Sequence, residues 1–237
     1  MKKRLVKLTI SKFSLLLLLS FFIGCNSQKV NNKYDGEIDR AFKEYLIAEK
    51  ISFKELNNDV YSAYFSGFLK YEKKLKLEAN PYLKVNKVYV HYRTPTSVEF
   101  TVYSDEETFC ISTFDLDMDG KILSFPENGI VKVLESIKVS DFGDFEIIGN
   151  VIKTRKRHKT PYKEWYEYVN GSIKNDTIHF TVKYIGRDHY KFKKNWLAKT
   201  TKTDLKEVYQ PNLKARKYKN GVGLIYYEVT GEFNVEK

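Results

Sequence analysis

The chain has 237 residues, with 41 lysines and arginines against 30 aspartates and glutamates, and a formal charge of +11. This length is enough for one large domain or two small ones with a substantial core. The two cysteines, Cys25 and Cys110, are too few for a small scaffold held together by disulfides.

The first 24 residues have the three-part layout of a secretory leader. Five basic residues lie within positions 2–12, an apolar run follows over residues 13–23, and the run ends at Gly24 and Cys25. The run is too short for a comfortable membrane span, which needs about 20 apolar residues. We therefore predict a signal peptide over residues 1–24.

The end of the leader, Phe22, Ile23, Gly24 and Cys25, resembles the lipobox of bacterial lipoproteins, which has an aliphatic residue, a small residue, Gly or Ala, and an invariant Cys. Gly24 and Cys25 match this pattern, whereas Phe22 and Ile23 depart from its commonest residues. The resemblance implies cleavage before Cys25, a diacylglycerol on its thiol and an acyl chain such as palmitate on its amino group. Several chains on one residue make anchoring effectively permanent. The alternative is an ordinary cleaved leader, or an uncleaved anchor, in which Cys25 is incidental.

A lipid-bearing Cys25 would place the mature chain in the cell envelope, facing the periplasm or the exterior. In Gram-negative lipoproteins an Asp after the cysteine tends to mark retention at the inner membrane, and this chain has Asn26 there. The resemblance therefore favours the outer membrane. Residues 25–34 are mostly polar and predict a flexible tether between the lipid and the folded chain.

Two amphipathic helices are predicted after the tether. Apolar residues recur at helical spacing from Ile38 to Leu46. A capping box of Ser52 and Glu55 predicts the start of the second helix, which ends before Pro81. Together they predict a helical hairpin whose apolar faces need a further layer.

Beyond the helices, apolar residues alternate with a period of two, which predicts antiparallel strands. Asp119–Gly120 is a strong hairpin turn signal, and Asn170–Gly171 and Asn175–Asp176 are two further turn dipeptides. Residues 130–139 fit a helix or a strand, and a short helix is predicted around residues 196–209. The predicted fold class is α+β, with an N-terminal helical hairpin followed by a mostly antiparallel β-sheet or open barrel.

The charge changes sign within the mature chain. Residues 25–149 carry 16 basic and 21 acidic residues, whereas residues 150–237 carry 20 basic and 9 acidic residues. We predict an acidic half over residues 35–144, with the helical hairpin and a β-meander, and a basic, β-rich half over residues 145–237, packed together as one globular unit. A basic half indicates an anionic partner, and export argues against nucleic acid and in favour of the membrane surface.

Asp115, Asp117, Asp119 and Gly120 resemble the first half of a calcium loop, in which alternating carboxylates converge on a hard cation. The position that a bidentate Glu should occupy is Pro126, and strands rather than helices are predicted on both sides. The alternatives are a site for calcium or another metal and an acidic hairpin turn, of which the turn is favoured. No other cofactor is predicted.

No catalytic constellation can be named from the sequence. The histidines His91, His158, His179 and His189 lack metal-binding spacing, and the chain has neither a phosphate loop nor a nucleophile elbow. Cys110 lies in a predicted strand, where a buried small hydrophobic residue is expected.

Aromatic and basic residues are interleaved in the second half of the chain, which on an exposed face would suit an anionic glycolipid or a polysaccharide. The alternative is that the rings fill a core while the cations face water. The residues are Arg155, Lys156, Arg157, Lys159, Tyr162, Lys163, Trp165, Tyr166, Tyr168, Tyr190, Phe192, Lys193, Lys194 and Trp196. The favoured function is a non-catalytic binding or envelope-assembly lipoprotein, and the alternative is a lipid-anchored, metal-dependent hydrolase or calcium-binding module.

Overall fold

The computed structural model describes residues 36–116, 121–186, 192 and 199–235. The described chain is mostly β, with 54% of it in strands and 18% in helices. Neither described helix combines the length and the apolar character that crossing a bilayer would require. The predicted leader and lipid site at Cys25, and the loop residues Asp117 and Asp119, lie outside the described residues.

The chain divides into two compact units, the first ending at Tyr61 and the second beginning at Ser62. Helix α1 (Gly36–Ala48) belongs to the first unit, and helix α2 (Asn58–Glu78) begins in the first and continues in the second. The predicted boundary near residue 144 stays a prediction.

Helix α2 begins later than its predicted capping box. The side-chain oxygen of Asn57 accepts hydrogen bonds from the backbone N–H groups of Asp59 at 3.1 Å and Val60 at 3.0 Å. These are orphan donors of the first turn, so Asn57 is the N-cap. The prediction that Ser52 caps this helix is wrong, because the Asn57 side chain satisfies these donors.

In the described residues, eleven strands follow α2. They are β1 (Val88–Thr94), β2 (Ser97–Tyr103), β3 (Thr108–Asp115), β4 (Ile130–Val139), β5 (Asp141–Ile148), β6 (Val151–Lys159), β7 (Glu164–Lys174), β8 (Thr177–Gly186), β9 (Thr200–Tyr209), β10 (Leu213–Lys219) and β11 (Ile225–Asn234). Eight of them close into an antiparallel barrel in the order β1-β2-β3-β5-β6-β7-β8-β9. The other three form a second sheet in the order β10-β11-β4.

The predicted α+β fold class, with a helical hairpin and an open sheet or barrel, is wrong. The barrel closes because β1 pairs with β9, with Tyr89 opposite Tyr209 and Val90 opposite Val208. Residues 130–139 are strand β4, and residues 200–209, part of the predicted helix 196–209, are strand β9. β4 pairs with β11, and β9 pairs with β8 and β1, so each segment obtains its hydrogen bonds from other strands, which a pattern within one segment does not reveal.

The three turn signals have different outcomes. Asn170 and Gly171 lie inside β7 and pair with both neighbouring strands, so the turn predicted there is wrong. Asn175 and Asp176 join β7 to β8, and both have positive φ, 49° and 62°, as a type I′ hairpin turn requires. The predicted return strand after Asp119–Gly120 is absent from the described residues 121–129, which form only isolated bridges. β3 pairs in the barrel with β5 instead, and β4 joins the second sheet.

One core lies between the barrel and the second sheet. Apolar side chains on the outer faces of β1, β2 and β3 pack there against β4, β10 and β11. Phe100 and Phe233 meet edge to face, with ring centroids 5.3 Å apart. Cys110 belongs to this core and is 1% exposed, which confirms its predicted role.

A second core fills one end of the barrel. Its buried residues are Leu77, Leu83, Tyr89, Tyr103, Phe109, Phe145, Ile152, Ile173, Ile178 and Phe180. Leu77 comes from the last turn of α2, and Leu83 from the segment that leads into β1. We call this the closed end of the barrel, because side chains from outside the barrel strands complete its packing.

The β2–β3 turn carries three consecutive acidic residues, and it connects the barrel to its neighbours. Lys217 of β10 contacts Asp105 at 2.5 Å and Glu106 at 2.8 Å, and Lys73 of α2 contacts Glu107 at 2.6 Å. Burial alone would raise the pKa of Asp105, but the bond from Lys217 and the nearby Lys74 lower it below its usual value. These carboxylates therefore have a structural role.

Candidate barrel cavity

A cavity of about 330 Å³ occupies the part of the barrel that the second core does not fill. Successive side chains on a strand point to opposite faces, so every second residue of each barrel strand faces inward. Phe109, Ile111, Val169, Phe180 and Leu205 give the cavity an apolar wall. Its volume lies at the lower end of the range for small-molecule sites, roughly 300–1,000 Å³.

Glu207 lies at the inner end of this cavity. It is 4% exposed, and its carboxyl accepts hydrogen bonds from the Tyr103 hydroxyl at 2.7 Å and the Thr101 hydroxyl at 3.2 Å. Burial raises the pKa of Glu207 to about 7, and the two hydrogen bonds only partly offset this rise. No cation among the described residues lies within ion-pair distance of this carboxyl.

Charged side chains line the opposite end of the cavity, which we call the mouth. Each cation there has a carboxylate within 4.0 Å. The pairs are Arg93 with Glu99 at 3.9 Å, Lys156 with Asp141 at 2.5 Å, and Lys183 with Glu167 at 4.0 Å. The mouth is therefore polar, but its charges largely compensate one another.

Two of the four histidines line the cavity, although 67 residues separate them in the sequence. His91 Nδ1 lies 2.9 Å from the carbonyl oxygen of Lys206 and must donate to it, because a carbonyl only accepts. His158 stacks on Trp165 with the ring planes 10° apart, and its buried Nε2 atom has no hydrogen-bond partner in the described structure. The sequence pattern missed this proximity.

The structure places one of the three predicted metal ligands. Asp115 is the exposed last residue of β3, whereas Asp117 and Asp119 lie outside the described residues. Within the described ranges, no group of three or more His, Cys, Asp or Glu side chains could hold a metal ion. A calcium or other metal site at Asp115 stays a prediction.

The interleaved aromatic and basic residues do not share one face. Arg155 is 8% exposed, forms an ion pair with Asp144 and lies over the ring of Tyr166 at 4.9 Å. Lys156 and His158 line the cavity instead. Tyr190, Lys193, Lys194 and Trp196 lie outside the described residues. The anionic glycolipid or polysaccharide partner stays a prediction.

Comparison with known proteins leaves the cavity as the basis for assigning a function. No protein-family model, curated protein or solved structure matches this chain.

One signal in the sequence could have indicated a polar barrel interior. Along β2, the apolar residues Val98, Phe100 and Val102 alternate with Glu99, Thr101 and Tyr103. The second set contains a charge and two hydroxyls, yet Thr101 and Tyr103 are buried. A strand with polar groups on a buried face is unusual, because buried polar groups need partners.

Proposed function

We propose that this chain is a non-catalytic binding lipoprotein that holds a small amphiphilic ligand inside its barrel. In this proposal Cys25 carries the lipid and anchors the protein in the cell envelope, with the outer membrane favoured over the inner. Residues 25–34 separate the anchor from the folded chain. The observation that carries the binding function is the cavity of about 330 Å³.

Barrel geometry supports this proposal. An eight-stranded barrel has an interior just wide enough to be filled by side chains or to hold one small ligand. In this chain the second core fills the closed end, and the remaining space has apolar walls and a polar mouth. An amphiphile has an apolar body and a polar group, so it would match a cavity with apolar walls and polar ends.

Binding is favoured over catalysis because the polar groups around the cavity already interact with one another. Glu207 accepts hydrogen bonds from two hydroxyls, and the cations at the mouth lie beside carboxylates. Such bonds fix side chains in place for recognition.

The experiment fills the cavity and measures uptake of the fluorescent amphiphile N-phenyl-1-naphthylamine. Val169→Trp adds a large ring to the cavity wall, and Leu134→Trp adds the same ring at a half-exposed position of β4 in the second sheet. We expect Val169→Trp to weaken probe binding at least about tenfold, because the ring occupies the ligand's space. Leu134→Trp should bind the probe like the parent.

Thermal melts would show that each variant is folded at the assay temperature, and Ile111→Trp is a second cavity-filling variant. Equal probe binding by the parent and by both cavity-filling variants would refute the proposed function.

A further inference from the structure

We infer that the ligand of the barrel cavity carries a cationic nitrogen, such as an ammonium group, which forms an ion pair with Glu207 at the inner end of the cavity. This inference rests on the proposed function and specifies the chemical class of its ligand: an amphiphilic amine that enters with its charged end first.

Glu207 lacks a counter-charge from the described part of the chain. Buried carboxylates are normally paired with a cation, because the ionised group loses its hydration. Glu207 is 4% exposed, and no described residue places a cation at ion-pair distance. An ammonium group in the cavity would supply this missing charge.

The cations at the mouth, unlike Glu207, have partners of opposite charge. Arg93, Lys156 and Lys183 each lie within 4.0 Å of a carboxylate of this chain, so they have less need of an anionic ligand. The unmatched charge is therefore at the inner end of the cavity. A ligand that only carried an anionic head would compete with existing ion pairs and leave Glu207 uncompensated.

The carboxylate of Glu207 can accept further hydrogen bonds. An ionised carboxylate has about four lone-pair sites. The hydroxyls of Tyr103 and Thr101 each donate to a different oxygen of Glu207, so both oxygens retain a site. An ammonium group has up to three N–H donors, and its attraction to the carboxylate is strengthened where apolar walls exclude water.

The register of the barrel gives the ligand's orientation. β9 runs from the mouth towards the closed end, with Leu205 opposite Phe180 and Glu207 opposite Ile178. Glu207 therefore lies one inward-facing position deeper than Leu205. The apolar body of the ligand would lie against Leu205, Phe180 and Phe109, between Glu207 and the mouth.

The test uses three probes with the same eight-carbon chain: octylamine, 1-octanol and octanoate. Calorimetric titrations of the mature protein are made at pH 8. Octylamine stays cationic at this pH, because alkylammonium groups lose their proton only near pH 10.4. We expect octylamine to bind at least about tenfold more tightly than 1-octanol. This comparison needs no substitution, so it does not depend on a variant folding.

Two variants test whether Glu207 recognises the amine. Glu207→Gln keeps the side-chain shape without the charge, and it should weaken octylamine binding at least about tenfold while changing 1-octanol binding by less than about twofold. The matched control is Glu135→Gln, which removes an exposed carboxylate of β4 in the second sheet, outside the cavity lining, and should preserve the preference for the amine.

The outcomes separate this inference from the proposed function. If 1-octanol or octanoate binds as tightly as octylamine, or if Glu207→Gln weakens all three probes equally, the cationic ligand is ruled out while the cavity remains a binding site. A preference that is lost in Glu135→Gln and kept in Glu207→Gln also contradicts the inference. If none of the three probes binds, both the inference and the proposed function fail.

Discussion

Glu207 is a buried carboxyl whose protonation affects the stability of the folded chain. Its carboxyl is held by Tyr103 and Thr101 in an apolar surrounding, where the ionised form is costly. The cationic ligand that we propose would offset this cost by supplying a counter-charge.

The cost of this carboxyl should appear as a pH-dependent stability difference for Glu207→Gln. The pKa of Glu207 is about 7 in the folded chain and near its usual value of 4.5 in the unfolded chain. Between these values the folded chain binds more protons, so the parent loses stability as the pH rises. We expect the free energy of unfolding of Glu207→Gln, relative to the parent, to increase by roughly 3 kcal/mol from pH 4.5 to pH 8.

Urea denaturation at several pH values would measure this difference. Leu75→Ala is a control without a titratable change, and its difference from the parent should be the same at each pH. A Glu207→Gln curve that stays parallel to that of the parent would show that burial does not hold this carboxyl protonated.

At the scale of elements, α2 contributes to the closed end of the barrel through one residue of its last turn. Leu77 is 5% exposed within the second core, whereas Leu75 on the same helix is 45% exposed. Two residues correspond to about 200° of helical rotation, which explains the difference.

Leu77→Ala should lower the free energy of unfolding by about 2–5 kcal/mol, because it removes buried methyl groups and leaves a void. The matched substitution Leu75→Ala should cost less than about 1 kcal/mol, because that side chain stays largely in water. Thermal or urea unfolding would measure both. Similar losses in the two variants would contradict the assignment of Leu77 to the barrel core.

The residue pattern of a segment predicted its structure correctly where the segment's own residues determine the backbone conformation. It failed where hydrogen-bond partners from other parts of the chain determine that conformation. The Asn175–Asp176 turn was predicted because its residues tolerate positive φ. Gly143 belonged to a predicted boundary, yet it lies inside β5 opposite Phe109, whose ring would collide with a side chain there. A close approach between two strands cannot be predicted from either strand alone.

The candidate site was unpredictable for the same reason. Tyr103 and Glu207 are 104 residues apart and meet only because the barrel closes. The sequence shows that β2 has polar residues on one face, but not that this face lines a cavity. Similarly, His91 and His158 come together through the order of the strands and not through a spacing motif.

At the scale of the whole molecule, the membrane association proposed above depends on the sulfur atom of Cys25. Cys25→Ser removes the acceptor of the diacylglycerol, so we expect the variant to leave the membrane fraction for the soluble fraction. Fractionation of cells, with mass spectrometry of the mature amino terminus, would measure both location and acylation. A mature protein that starts elsewhere without acyl mass, or a variant that remains membrane-bound, would exclude lipid anchoring at this residue.

The extent of backbone pairing between neighbouring strands differs around the barrel. β6 pairs with β7 along its whole length, Val151–Lys159, whereas β1 and β9 pair at two positions, beside Tyr89 and Val90. The His91 ring of β1 also donates a hydrogen bond to the carbonyl oxygen of Lys206 in β9. Fewer backbone hydrogen bonds therefore hold β1 and β9 together, and β9 is also the strand that carries Glu207. We therefore expect the width of the barrel to vary more beside Glu207 than between β6 and β7.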